Sequence, residues 1–100
     1  MKLIPNAVAK TIPPCTPVEE ENPIAHVRLF DPKTGWEWFI HQYDPEEQIG
    51  YCLANAVTVE YGTLYVPELV KCGPVQLDPD FTPRPLRDIH TEIELRRTAD

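Results

Sequence analysis

The chain has 100 residues, enough to bury one modest hydrophobic core and too few for a second domain or an added cofactor-binding lobe. Hydrophobic residues make up 42% and charged residues 25%, the balance of a folded chain and not of a disordered one. The formal charge of -7, from 16 acidic against nine basic side chains, disfavours direct binding to nucleic-acid phosphates and suits a basic partner.

The 12 prolines fall between apolar runs, which predicts short elements joined by stiff turns. Residues 1–14 form the first unit. Pro5 suits a first helical turn, and Ile4, Val8 and Ile12 recur at helical spacing, so a helix of one or two turns should dock one face on a sheet before Pro13-Pro14 stop it. Residues 15–23, with Pro17 and Glu19-Glu20-Glu21, read as an exposed connection.

Residues 24–77 read as a sheet with one short helix. Strands are predicted at Ile24–Phe30, at Trp36–Tyr43 and at Ile49–Ala56. The turns between them open with Asp31-Pro32 and Asp44-Pro45, and Gly35 is available for a positive φ. Three consecutive strands joined by such short turns make an antiparallel meander. Pairing the residues that flank each turn sets Phe30 opposite Trp36, Arg28 opposite Trp38 and Tyr43 opposite Ile49. One face then carries Val27, Leu29, Phe39, His41, Tyr43 and Leu53; the other carries Arg28, Phe30, Trp36, Trp38, Ile40 and Cys52. Both faces are apolar enough to need cover, and a slip of one residue would exchange them.

A fourth strand is expected within Val57–Val66, interrupted near Tyr61-Gly62, followed by a helical turn at Pro67–Lys71 and a short edge strand at Val75–Leu77. Residues 78–100 begin as an extended run, forced by Pro79, Pro83 and Pro85. The tail fits a helix through Leu86, Ile89 and Ile93, and a strand through Ile89, Thr91, Ile93 and Leu95. The i, i+4 pair Glu92 and Arg96 favours the helix, with disorder expected in the last residues. The fold class is therefore α+β: an antiparallel sheet of four to five strands, a short N-terminal helix and one or two further short helices.

Cys15, Cys52 and Cys72 are odd in number and lack paired spacing, and no apolar run resembling a signal peptide follows Met1, so a reduced, cytoplasmic location is the expectation. No stretch has the length and apolarity to cross a bilayer, and no membrane role is expected.

Several motifs follow in order along the chain: Met1-Lys2-Leu3-Ile4, Ile12-Pro13-Pro14, the run Asn22-Pro23-Ile24-Ala25-His26-Val27-Arg28-Leu29-Phe30, and above all Gly35-Trp36-Glu37-Trp38-Phe39. They continue through Tyr43-Asp44-Pro45-Glu46, Tyr61 to Leu69, and Gly73-Pro74 leading to the run Asp80 to Leu86. In that order they resemble an uncharacterised bacterial and mobile-element family, domain of unknown function twenty-nine fifty-eight. Departures from the pattern fall in Tyr61 to Leu69 and after Gly73-Pro74. The resemblance implies a small accessory product of plasmids, phages and integrated elements, with no catalytic motif to transfer.

Three constellations remain. Phe30, Trp36 and Trp38 form an aromatic group that suits either a core, with Arg28 covering Trp38 by a cation-π contact, or an exposed hot spot for a protein partner. Self-association would be another way to cover that face. Asp44, Glu46 and Glu47 add an acidic turn beside the strand, and the two groups together are the candidate binding residues. His41 with Asp44, Glu46 or Glu47 is the one acid-base set available to an enzyme, but no activated nucleophile accompanies it, so no catalytic residue is assigned. Among His26, His41, His90 and the cysteines no close ligand spacing occurs, so neither metal nor cofactor is expected. The expected role is a non-enzymatic module binding a basic host protein, in the manner of an anti-CRISPR or other anti-defence inhibitor. The alternative is a small enzyme or accessory factor of plasmid or phage maintenance working through His41.

Overall fold

The computed structural model describes residues 2–99; expectations touching Met1 or Asp100 lie outside the described residues. In chain order the elements are α1 (Asn6–Ala9), β1 (Ile24–Ala25), β2 (Val27–Phe30), β3 (Glu37–Asp44), β4 (Ile49–Asn55), β5 (Val59–Tyr65), α2 (Val66–Cys72), β6 (Gln76–Leu77), β7 (Arg84–Pro85) and α3 (Leu86–Thr98). The fold is α+β, with a five-stranded antiparallel sheet in the order β5-β4-β3-β2-β6 and a separate two-stranded ladder of β1 with β7.

Both Asp-Pro turns close through their aspartate. Asp31 Oδ1 accepts the N–H of Lys33 at 2.8 Å, and Gly35 closes that turn at φ 79, where a side chain would be strained. Asp44 Oδ1 accepts the N–H groups of Glu46 and Glu47 at 3.0 and 3.3 Å, and Gln48 completes the second turn at φ 58. These local bonds make β2, β3 and β4 a meander, as the sequence predicts.

The register differs from the expected one. Phe30 pairs with Glu37, Leu29 with Trp38, Arg28 with Phe39 and Val27 with Ile40, a slip of one position that exchanges the faces of β2 relative to β3. The turn supplies the cause: the Asp31 N–H bonds Trp36 O at 2.9 Å, which keeps Trp36 inside the turn and starts β3 at Glu37. Between β3 and β4, Phe39 pairs with Leu53 and Ile40 with Cys52, but Gln42 pairs with Tyr51 and Tyr43 with Gly50. The extra residue, His41, is a β-bulge, which returns Tyr43 to the face of Ile40. The bulge faces Cys52 and Tyr51; Gly50 follows it, paired with Tyr43, and a Cβ there would stand 3.2 Å from Gln42 O.

Two cores result. On one face Val27, Leu29, Ile40, Tyr43, Cys52 and Leu64 meet Ile4, Ala9 and Ile12 of the N-terminal segment and Val66 at the start of α2. On the other, Phe39 and Leu53 meet Ala25 and the Leu86, Ile89 and Ile93 stripe of α3. The 3, 4 spacing of that stripe decides the tail in favour of helix, because each of the three side chains is almost wholly removed from water. Helix continues through Thr98, so the disorder expected at the end of the tail does not occur in its described part. Its last turn is held by Arg97, whose guanidinium donates to Asn55 Oδ1, Ala56 O and Val57 O at 2.6 to 3.2 Å.

Strand pairing settles three smaller points. The strand expected at Ile24–Phe30 divides at His26, because Ile24 and Ala25 leave the main sheet to pair with Pro85 and Arg84. The fourth strand is continuous through Gly62, opposite Cys52, without the expected interruption. The short strand at Gln76–Leu77 is an edge strand as expected, and it pairs with β2.

Candidate functional site

The six residues proposed from the sequence do not form one surface. Phe30, paired with Glu37, lies on the α3 face, whereas Trp38, paired with Leu29, lies on the opposite face and packs half-buried against the core there. Trp36 stays in the turn and is 38% exposed. The expected cation-π contact of Arg28 with Trp38 is replaced by one with Phe30, the guanidinium lying 4.7 Å from the ring centroid, because the slipped register puts Arg28 and Trp38 on opposite faces. Asp44, Glu46 and Glu47 stand at the far end of β3, roughly 25 Å of strand from Trp36 at about 3.3 Å per residue. Glu46 and Glu47 are exposed, while the Asp44 carboxylate is engaged in its turn. Glu46 also borders a cleft of about 500 Å³ between α1 and α2 whose lining includes Lys2 and Lys71, so that end is mixed in charge.

The bulge builds a different site. It sets His41 beside the Tyr51 ring, with centroids 6.3 Å apart, and His41 Nδ1 lies 3.2 Å from Glu20 Oε1. Gln42 is 2% exposed and holds the connection in place from both sides: its Oε1 accepts the Thr16 N–H at 3.0 Å, and its Nε2 donates to Glu20 Oε1 at 2.6 Å. The connection thereby becomes one wall of an open groove of about 820 Å³. Its floor is formed by β3, β4 and β5 at His41, Tyr51, Tyr61 and Thr63, and Arg87 of α3 stands at the other side. Glu19, Glu20 and Glu21 line the wall. Tyr61, 52% exposed, meets the edge of the His90 ring at a centroid distance of 5.6 Å.

The acidic character of the Glu19 to Glu21 run is plain in the sequence, as is His41 as a candidate. Their meeting is not, because it depends on the bulge and on Gln42 reaching back across 22 positions to Glu20. The expected His41 partners, Asp44, Glu46 and Glu47, are replaced by Glu20.

A second polar group serves the fold. Arg28 Nε bonds Glu37 Oε2 at 2.8 Å, its Nη1 bonds Asp78 Oδ2 at 3.0 Å, and Asn55 Nδ2 bonds Glu37 Oε1 at 2.8 Å. These bonds join the members to one another and tie β2, β3, β4 and the segment after β6 together.

The three cysteines are free. Burial pushes the Cys52 thiol up to about 12, which keeps it protonated and a poor nucleophile at neutral pH. Cys15 is also shifted upward, first by burial and then by the Asp44 charge. Among the described residues no group of three or more His, Cys, Asp or Glu side chains is placed to hold a metal ion, and no helix is long and apolar enough to cross a membrane.

Comparison with protein-family models, curated proteins and solved structures yields no match. The resemblance in motif order therefore rests on those motifs alone.

Proposed function

We propose that the protein is a non-enzymatic binding module that engages a basic surface of another protein through the groove between the Glu19 to Glu21 connection and β5. The observation that carries this reading is the groove itself: an open depression of about 820 Å³ with three consecutive glutamates on one wall and tyrosines on its floor. Tyrosine supplies contact area at low entropic cost, and carboxylates at a rim steer a cationic partner and fix its register. The net charge of -7 extends that attraction beyond contact distance. The motif resemblance to mobile-element proteins supports a host protein as partner, and a basic nucleic-acid-binding protein of a defence system fits the charge. A cytoplasmic site of action belongs to the same proposal.

A pull-down from a bacterial lysate tests it. The unmodified protein is expected to retain a basic protein that is lost when Glu19→Lys and Glu21→Lys are combined, and kept when Glu46→Lys and Glu47→Lys are combined. Retention unaffected by reversal at Glu19 and Glu21 removes the acidic-groove reading.

The 3.2 Å contact between His41 and Glu20 supports a second reading, a histidine-carboxylate pair acting in acid-base chemistry within the same groove. Under that reading His41→Ala abolishes an activity while leaving partner capture intact.

A further inference from the structure

Among the described residues the meander leaves one long strand edge without a neighbour. β5 has seven residues, Val59–Tyr65, and ends the sheet on its side, whereas the opposite edge is the two-residue β6. Edge strands are commonly blunted by proline, lysine, a bulge or a covering element. β5 carries neither proline nor lysine, its register with β4 is unbroken, and its charged side chain is Glu60.

The direction of its backbone groups follows from two hydrogen bonds at the ends of the ladder. Val66 N donates to Gln48 O, and Ala56 N donates to Thr58 O, both at 3.0 Å. Carried through the register, this pattern turns the main-chain groups of Glu60, Gly62 and Leu64 toward β4 and those of Val59, Tyr61, Thr63 and Tyr65 outward. Tyr65 caps α2 with its carbonyl, and among the described residues no other backbone segment bonds to the outward groups of Val59, Tyr61 and Thr63. The same edge borders the acidic groove, since Tyr61 and Thr63 belong to its floor.

We propose that β5 accepts an extended, basic peptide segment of the partner protein as a sixth strand. The proposal rests on the acidic-groove reading and gives it a binding mode. Main-chain bonds to Tyr61 and Thr63 supply affinity that is independent of side chains, and alternate side chains of the incoming strand turn toward the groove. A lysine or arginine at such a position meets Glu19 and Glu21. Charge selects this occupant over a second copy of the chain, because two copies would bring two charges of -7 together.

The test uses the full chain and a fluorescent nonapeptide of alternating lysine and valine. Binding is expected by anisotropy, with amide exchange slowed at Tyr61 and Thr63. Thr63→Pro removes an outward N–H, so it should weaken binding by about tenfold or more with the melting curve little changed, as edge strands tolerate proline on the solvent side. Combining Glu19→Gln with Glu21→Gln should weaken binding about threefold to tenfold and flatten its salt dependence.

Unchanged binding by a folded Thr63→Pro variant overturns the proposal. So does the absence of binding to the unmodified protein up to about 1 mM peptide. Should Thr63→Pro fail to fold, amide exchange on the unmodified protein decides: no added protection at Tyr61 and Thr63 overturns it. A dimer that this peptide cannot dissociate, with protection at those two amides in the protein alone, makes a second copy the occupant and also overturns it. The outcomes separate the two readings. A lysate partner lost on charge reversal at Glu19 and Glu21 but kept by Thr63→Pro leaves the acidic groove standing and removes only strand addition.

Discussion

Glu37 and Asn55 are direct partners in the β3–β4 ladder and are joined through their side chains, Asn55 Nδ2 donating to Glu37 Oε1 at 2.8 Å. The other carboxylate oxygen receives Arg28 Nε at 2.8 Å, so a glutamate only 8% exposed satisfies two elements at once. Its removal leaves Arg28 Nε and the Asn55 amide without an acceptor, with Arg28 held by Asp78 alone. Glu37→Ala is expected to lower stability by about 2–4 kcal/mol and Glu37→Gln by about 1–2 kcal/mol, because the amide keeps an acceptor for Asn55. Urea denaturation measures both. A cost below that of an ordinary surface substitution would show that the network is ornamental to the fold.

Gln42 is the link between the sheet and the connection that walls the groove. Gln42→Ala removes bonds to Thr16 N and Glu20 Oε1, at an expected cost of about 1–2 kcal/mol. The more specific outcome is local. A glutamate-specific protease should cut within Glu19 to Glu21 faster in the variant than in the unmodified protein, with cleavage elsewhere little altered. Equal cleavage rates would show that the wall is held by other contacts.

The tryptophans separate by their surroundings. Trp38 packs against the core on the α1 face, and Trp36 projects from a turn. Trp38→Ala should cost about 2–4 kcal/mol and Trp36→Ala less than about 1 kcal/mol. Iodide should quench emission from a Trp38→Phe variant, which retains Trp36, more strongly than from Trp36→Phe. A reversed order would place Trp36 under cover.

Most elements were legible because their causes are local. Pro5 and the two Asp-Pro turns mark boundaries within a few residues of themselves. The two-sided burial of the sheet was also readable, since Phe39 and Leu53 on one expected face and Trp38, Ile40 and Cys52 on the other could not both be solvent-facing. The register was not readable, because one backbone bond between Asp31 and Trp36 decides whether β3 begins at Trp36 or Glu37. That single position placed Phe30 and Trp38 on opposite faces and dissolved the expected aromatic group. The bulge was equally hidden. His41-Gln42 offers no glycine or other mark, and only the neighbouring Gly50, paired with Tyr43 where a Cβ would crowd Gln42 O, hints at it. The groove depends on that bulge, so its acidic members were visible singly while their assembly was not.

Cys52 gives the fold a defined response to alkali. Burial raises its thiol to about 12 from the ordinary 9.0, so the folded state holds the proton more tightly than the unfolded chain does. The stabilisation from that difference is fully present below about pH 9. As pH rises from there, the unfolded chain loses its proton while the folded one keeps it, and stability falls until the folded thiol also ionises near pH 12. Tyr43, raised by burial and then by Asp44, adds to the decline in the same direction. Urea midpoints are therefore expected to fall between about pH 9 and about pH 11, and less steeply in Cys52→Ala, whose small cavity costs a pH-independent amount of about 1–2 kcal/mol. Alkylation should follow exposure. At about pH 8 iodoacetamide is expected to modify the exposed Cys72 first and Cys52 only on unfolding. Equal pH slopes for the two proteins, or labelling of Cys52 in the folded state, would place that thiol in contact with water.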